Sequence, residues 1–125
     1  MQTKQQERAK FALDKLLPNG AKFVNHDFAQ FVVGMPNMIL SNGIGQTMAF
    51  LLAKRQDRMG EAFGILKDWL QKAMPDTFPE ADSSVDFLRK FTTISQSEYL
   101  QAQHECLKLV EWLKRYARAF DNGGK

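Results

Sequence analysis

The chain has 125 residues, 44% of them hydrophobic and 25% charged, which fits one ordinary globular domain and excludes fibrous, low-complexity and disordered classes. Net charge is +3 with a single cysteine: the mild basic excess favours nucleic acid or an acidic partner, and a lone thiol excludes an internal disulfide and a structural zinc site. No apolar run approaches the eighteen or so residues of a membrane span, and "MQTKQQERAK" lacks the apolar stretch of a leader peptide, so no membrane partner and a cytoplasmic location are expected.

In chain order, a first helix is predicted from about Thr3 to Leu17, with Ala9, Ala12, Leu13, Leu16 and Leu17 on one side and Pro18-Asn19-Gly20 as its stop. Asn25 or Asp27 is placed to cap a short second helix carrying Phe28, Phe31 and Val32, which Gly34 and Pro36 should break. "PNMILSN" adds a turn or two before a joint at Asn42-Gly43-Ile44-Gly45. Past it, Ile44, Met48, Leu51, Leu52 and Met59 fall at helical spacing, with Lys54, Arg55 and Arg58 leaving the other side. A helix from roughly Gly60 to Ala73 puts Phe63, Leu66, Trp69, Leu70 and Ala73 on one stripe until Pro75.

"PDTFPEADSS" follows, with 75–83 expected as a surface linker. Ser83 or Ser84 can cap a helix with Val85, Leu88 and Phe91 inward. The last helix opens on a capping box, Ser95 with Glu98. Tyr99, Ala102, Cys106, Leu109, Leu113, Tyr116 and Phe120 then recur in steps of three and four, widened by Leu100, Leu107, Val110 and Ala117. Lys114, Arg115 and Arg118 suit the negative end of its dipole, and Glu111 to Arg115 is a favourable pair. The tail 121–125 should fray. No stretch alternates with the period of a strand. The expected fold is therefore all-α, a compact single domain over 1–125 of about five to six helices ending in a long one.

Three places invite a chemical reading. The Gly43/Gly45 joint lacks the third glycine and preceding strand of a dinucleotide fingerprint and the lysine of a P-loop. A helix–helix joint explains it better: Asn42 or Gly43 takes a positive φ, Gly45 admits a close neighbour, and Gln46 or Thr47 starts the next helix. An open helix start there would still attract a phosphate, with Gln46 beside it. His26-Asp27 and His104-Glu105-Cys106 contain acid–base and nucleophile types, but neighbours on a helix point about 100° apart, so His104 does not serve Cys106, which falls on the apolar stripe. His26 and Asp27 read as cap and surface residues. No catalytic constellation, metal cluster or cofactor motif is expected.

Trp69 reads as core. Trp112 lies beside the main stripe of its helix and, with Gln46, is a candidate partner contact. Lys54, Arg55, Arg58, Arg89, Lys90, Lys114, Arg115 and Arg118 lie at helix ends or outward faces. They are a solvated exterior unless the fold gathers several into a phosphate-tracking patch, in which case they bind nucleic acid.

Two stretches, "MILSNGIGQTMAFLLAK" and "EYLQAQHECLKLVEWLKRYARA", resemble the signature regions of the small helical subunit of the type III-B CRISPR effector complex, the fifth-named protein of the Cmr (RAMP module) set. Asn42, Gly43, Gly45, Gln46, Ala49, Phe50 and Leu51 in the first, and Tyr99, Glu105, Leu107, Leu109, Trp112, Leu113, Lys114, Arg115, Ala117 and Ala119 in the second, fall in that family's order. The resemblance implies a small all-α protein without enzymatic activity, stacked with its own copies in a minor filament beside the crRNA-bearing backbone subunits, in a complex with a large polymerase-like subunit. It also implies that the basic faces line the groove for target RNA, with crRNA as a second candidate contact. Gly34-Met35-Pro36 departs from the family's pattern. Two rivals stand beside this reading: a purely structural helical adaptor that binds proteins without RNA contact, and an enzyme depending on His26 or His104.

Overall fold

The computed structural model describes residues 1–123. It contains six α-helices: α1 (Lys4–Leu16), α2 (His26–Val33), α3 (Met35–Ala53), α4 (Glu61–Ala73), α5 (Ser84–Thr93) and α6 (Gln96–Ala119), with 3₁₀ turns at Pro18–Gly20 and Arg58–Gly60. Among the described residues the sole extended pairing is a parallel bridge between Val24 and Asp121. The expected all-α architecture with a long last helix is what forms.

Local chemistry sets the boundaries. Thr3 and Gln6 form a capping box at α1, Asn25 caps α2 through the Phe28 N–H, and Ser83 caps α5 through the Asp86 N–H. Each satisfies a backbone donor that has no intrahelical acceptor. Both halves of the Ser95–Glu98 box are made, and Glu98 also accepts from the Thr77 hydroxyl at 3.0 Å. The Glu98 carboxyl is held below its usual range, first by the Ser95 N–H and then by the two hydroxyls. Gly34 closes α2, and Pro36 sits in the first turn of α3, where its missing N–H costs nothing.

The 24-residue α6 is the spine, and α1, α2, α3 and α4 all pack on it. Ala102, Cys106, Leu109, Val110, Leu113 and Ala117 form its buried stripe, against Trp69 and Leu66 of α4, Ile44 and Met48 of α3, and Ala12 of α1 in one continuous core. Burial of the Leu, Ile, Val and Met side chains among these is worth about 1.5–3 kcal/mol each and dominates the stability of such a bundle.

Several expectations are corrected. The helical spacing that ran from Ile44 to Met59 breaks at Ala53: Lys54 caps α3, and the chain turns so tightly that a Cβ on Gly60 would run into the Lys54 carbonyl and the Arg55 Cα. In α5 it is Phe87 that is buried, and Val85 is 61% exposed. The segment 75–83 is more than a surface connector, because Phe78 is fully buried and packs on Phe87 and Phe91 with ring centroids 5.2 Å away. Asp121 and Asn122 do not fray. Val24 N–H donates to the Phe120 carbonyl at 2.7 Å and Asn122 N–H to the Val24 carbonyl at 3.0 Å. The remainder of the expected frayed tail, residues 124 and 125, lies outside the described residues.

Candidate nucleic-acid interface

The joint in α3 is a kink at Gly43, with φ 81° and ψ 158°, a region essentially restricted to glycine. Buried positions run Met35 and Ile39 before it and Ile44, Met48 and Leu51 after it; the five-residue step from Ile39 to Ile44 is out of helical phase, and the kink resets that phase toward α6. Gly43 rather than Asn42 takes the positive φ, and Ile44 already starts the second half. Its first two N-terminal donors are taken: Ile44 N–H donates to Gln103 Oε1 and Gly45 N–H to the Tyr99 hydroxyl, both at 3.0 Å. The stretch is the helix–helix joint that the sequence favours, and two side chains of α6 occupy the helix start that would otherwise attract a phosphate. Gln46 beside it is exposed.

The acid–base residue types are dispersed. His26 Nδ1 lies 2.9 Å from Asp121 Oδ1, joining α2 to the end of α6; the Gly123 N–H, then His26, hold the Asp121 carboxyl below its usual range. His104 is exposed on α6. Cys106 is fully buried, and burial followed by the adjacent Glu105 charge pushes its thiol far above the usual range, so no thiolate is available near neutral pH.

Glu105 is a structural residue whose partners the sequence does not reveal. It is buried and accepts from Arg8 Nε at 3.2 Å, Arg8 Nη2 at 3.1 Å and the Trp69 indole N–H at 3.1 Å, tying α1 and α4 to α6. A charged residue breaking an apolar helical stripe, with a second charge interrupting the stripe of another helix, was its available signal.

The eight candidate cations come from three places in the fold. Arg89 and Lys90 belong to α5, whose Phe91 meets Tyr99 at the start of α6, and they share a shallow recess with Asp82 and Asp86. Lys54, Arg55 and Arg58 belong to the turn before α4. Arg58 and Glu61 share a groove with Val24, which is bonded to the far end of α6 where Lys114, Arg115 and Arg118 lie. Arg89 and Lys90 are therefore separated from Lys114, Arg115 and Arg118 by much of the length of α6, roughly 36 Å in all, whereas the helices that flank the Lys54–Arg58 turn both touch α5, Gly45 lying beside Phe91 and Phe63 against Phe87. Engagement also differs among them. Arg58 pairs with Glu61 at 3.7 Å; Glu111 lies 3.6 Å from Lys114 and 4.0 Å from Arg115; Lys54 Nζ sits 5.6 Å from the Phe50 ring centroid; Arg55 donates to the Leu52 carbonyl. These contacts are surface-exposed and worth about 0–1 kcal/mol each, leaving the charges available.

Trp69 is core, as expected. Trp112 is half-buried and stacked on Tyr116, with ring centroids 5.5 Å apart and planes 30° apart. It lines a groove with Gln5, Lys108, Glu111 and Arg115. Lys108 and Gln5 were not among the expected site residues. Lys108 was legible, since it lies seven residues before Arg115 and so on the same outward face of α6. Gln5 was not, because only the docking of α1 brings it there.

Comparison with known proteins is decisive for the family. The sequence profile of "CRISPR-associated protein (Cas_Cmr5)" matches residues 4–120. The chain belongs to the Cmr5 family. Among curated relatives, the CRISPR system Cmr subunit Cmr5 of Thermotoga maritima is 29% identical over 115 residues, covering 92% of this chain and 82% of the relative. The resemblance carried by the stretches at the α3 kink and along α6 is thereby confirmed as type III-B Cmr5 kinship. In this Cmr5-family chain the two stretches pack on each other, and Tyr99 and Gln103 hold the kink. Among the described residues no helix is long and apolar enough to cross a membrane, and no group of His, Cys, Asp and Glu has the arrangement of a metal site.

Proposed function

We propose that this protein is a non-catalytic subunit of a type III-B Cmr effector complex, an RNA-guided antiviral ribonucleoprotein, and that it holds the target RNA strand through sequence-blind phosphate contacts. Its partners on this reading are the crRNA-bearing backbone subunit, the large polymerase-like subunit, and further copies of itself in a minor filament. The observation that carries the RNA contact is the outward face of α6, where Lys108, Arg115 and Arg118 are exposed with Glu111 as the one acid among them. Cations spaced along a rigid helix suit a phosphate backbone, and such binding weakens steeply with salt. Family membership supports the complex. The tethered His26 and the fully buried Cys106 support the absence of catalysis.

The test is charge reversal. Arg115→Glu with Arg118→Glu in the reconstituted complex should lower target-RNA affinity and flatten its dependence on salt, the log–log slope falling by roughly one for each phosphate that is no longer neutralised. Unchanged affinity across a salt titration removes the RNA half of the proposal.

A second reading, a structural adaptor without RNA contact, draws support from the exposed Leu40 on α3, Leu100 on α6 and Phe23. Omitting the subunit then impairs assembly while RNA affinity per assembled complex stays the same. Gln46, exposed beside the kink, belongs to the protein-facing surface on either reading.

A further inference from the structure

We infer that the groove beside Trp112 is a stacking site for one unpaired nucleobase of a single-stranded RNA, with Lys108 and Arg115 gripping the phosphates on either side; this rests on the RNA-binding reading above and narrows it to one place on α6. The chain's two tryptophans are in opposite situations. Trp69 is buried and its indole N–H is spent on Glu105. The indole N–H of Trp112 donates to no acceptor among the described residues, and its ring borders open space. Tyr116 stacks on the indole and fixes its plane, so a ligand meets a ring that is already ordered.

The groove measures about 290 Å³ and is lined by Gln5, Lys108, Glu111, Trp112 and Arg115. Its one aromatic wall and otherwise polar rim suit a flat heterocycle with polar edges better than an aliphatic side chain, which would strand the surrounding polar groups. Lys108 and Arg115 are two helical turns apart, about 10 Å, and bracket the indole. Lys108 has no carboxylate within salt-bridge distance among the described residues. Glu111, the acid that would oppose an anion, is drawn to Lys114 at 3.6 Å and Arg115 at 4.0 Å, so the groove keeps a positive balance. Gln5 brings an amide that can donate or accept, which accommodates any base edge and confers little sequence preference. Aromatic stacking between cations is the general solution for a single strand read without regard to sequence.

The experiment uses the full chain, with a short oligouridylate and an abasic ribose-phosphate oligomer of the same length and charge. Trp112 fluorescence should be quenched by the oligouridylate and little changed by the abasic oligomer, with Trp69 silent because it is buried. Trp112→Ala should weaken oligouridylate binding by roughly 5- to 140-fold, the range expected for one stacked base, and leave abasic binding unchanged. Lys108→Glu, an exposed change that does not threaten folding, should weaken both. Salt-dependent binding without quenching, and indifferent to Trp112→Ala, overturns the stacking site while leaving RNA binding intact. Failure of both oligomers to bind, in the free chain and in the assembled complex, overturns both readings. Trp112→Ala that blocks assembly with the protein subunits while RNA affinity is retained assigns the groove to a protein partner and likewise overturns the stacking site.

Discussion

Replacing Gly43 with alanine tests the contact on which both signature stretches converge. The native φ of 81° and ψ of 158° would cost a residue bearing a Cβ about 1–3 kcal/mol. The new methyl would also lie 2.9 Å from the Tyr99 hydroxyl, forcing it away from the Gly45 N–H that it accepts at 3.0 Å. A part-buried donor left without its partner adds about 1 kcal/mol, so the expected total is about 2–4 kcal/mol. That is a large fraction of the roughly 5–15 kcal/mol by which a domain is stable. Urea denaturation followed by tryptophan emission should show a lower midpoint with an unchanged slope. Tyr99→Phe separates the terms: it removes the hydroxyl that clashes but leaves the φ strain. The Gly43→Ala/Tyr99→Phe double variant should therefore lose about 1 kcal/mol less than the sum of the singles. A Gly43→Ala midpoint equal to wild type, or strict additivity, would refute the account of the kink.

Glu105→Ala should destabilise the chain by about 3–5 kcal/mol, because it leaves Arg8 buried without a counter-charge and Trp69 without its acceptor; an effect below about 1 kcal/mol in the same denaturation assay would mean that solvent reaches the site. Cys106 should resist a thiol reagent in the native protein at pH 8 and react fully in denaturant, and native-rate labelling as fast as a free thiol would contradict its burial. Because the folded Glu98 pKa is depressed, its carboxylate contributes stability above the ordinary Glu range, and that contribution is lost as pH falls through the lower folded value. Glu98→Gln should accordingly be less stable than wild type at neutral pH and converge with it in acid, as read by thermal melts across pH; parallel curves would exclude the linkage. Ser95→Ala, at the other half of that box, should cost about 0.5–2 kcal/mol in the same melts.

Much of the fold was legible because the signals are local. The Ser95–Glu98 box, the stop at Pro18-Asn19-Gly20, the break at Gly34 and the α6 stripe each depend on residues within a few positions, where backbone donors and helical period set the outcome. Legibility failed where two positions were equally plausible locally. Val85 and Phe87 both sit on the first turns of α5, and only the presence of Phe78 and Phe63 beside the helix turned Phe87 inward. Asp121 and Asn122 looked like the start of a loose tail until Val24 supplied a backbone partner.

The candidate site divides the same way. That α6 carries cations and Trp112 on its outer side follows from spacing alone, since a helix distributes residues around its axis by a fixed angle. That Arg89 and Lys90 stand beside the start of α6, away from Lys114, Arg115 and Arg118, could not be read from spacing, because it depends on how α5 is laid against α6. By itself, then, the order of residues determined which segments are helical, where most of them stop and which family the chain joins. The tertiary structure alone decided that Glu105 is buried between Arg8 and Trp69, that Tyr99 and Gln103 close the kink at Gly43, and which charges share a surface. Those contacts join residues from 36 to 97 positions apart, and partners so distant leave no periodic trace in a sequence.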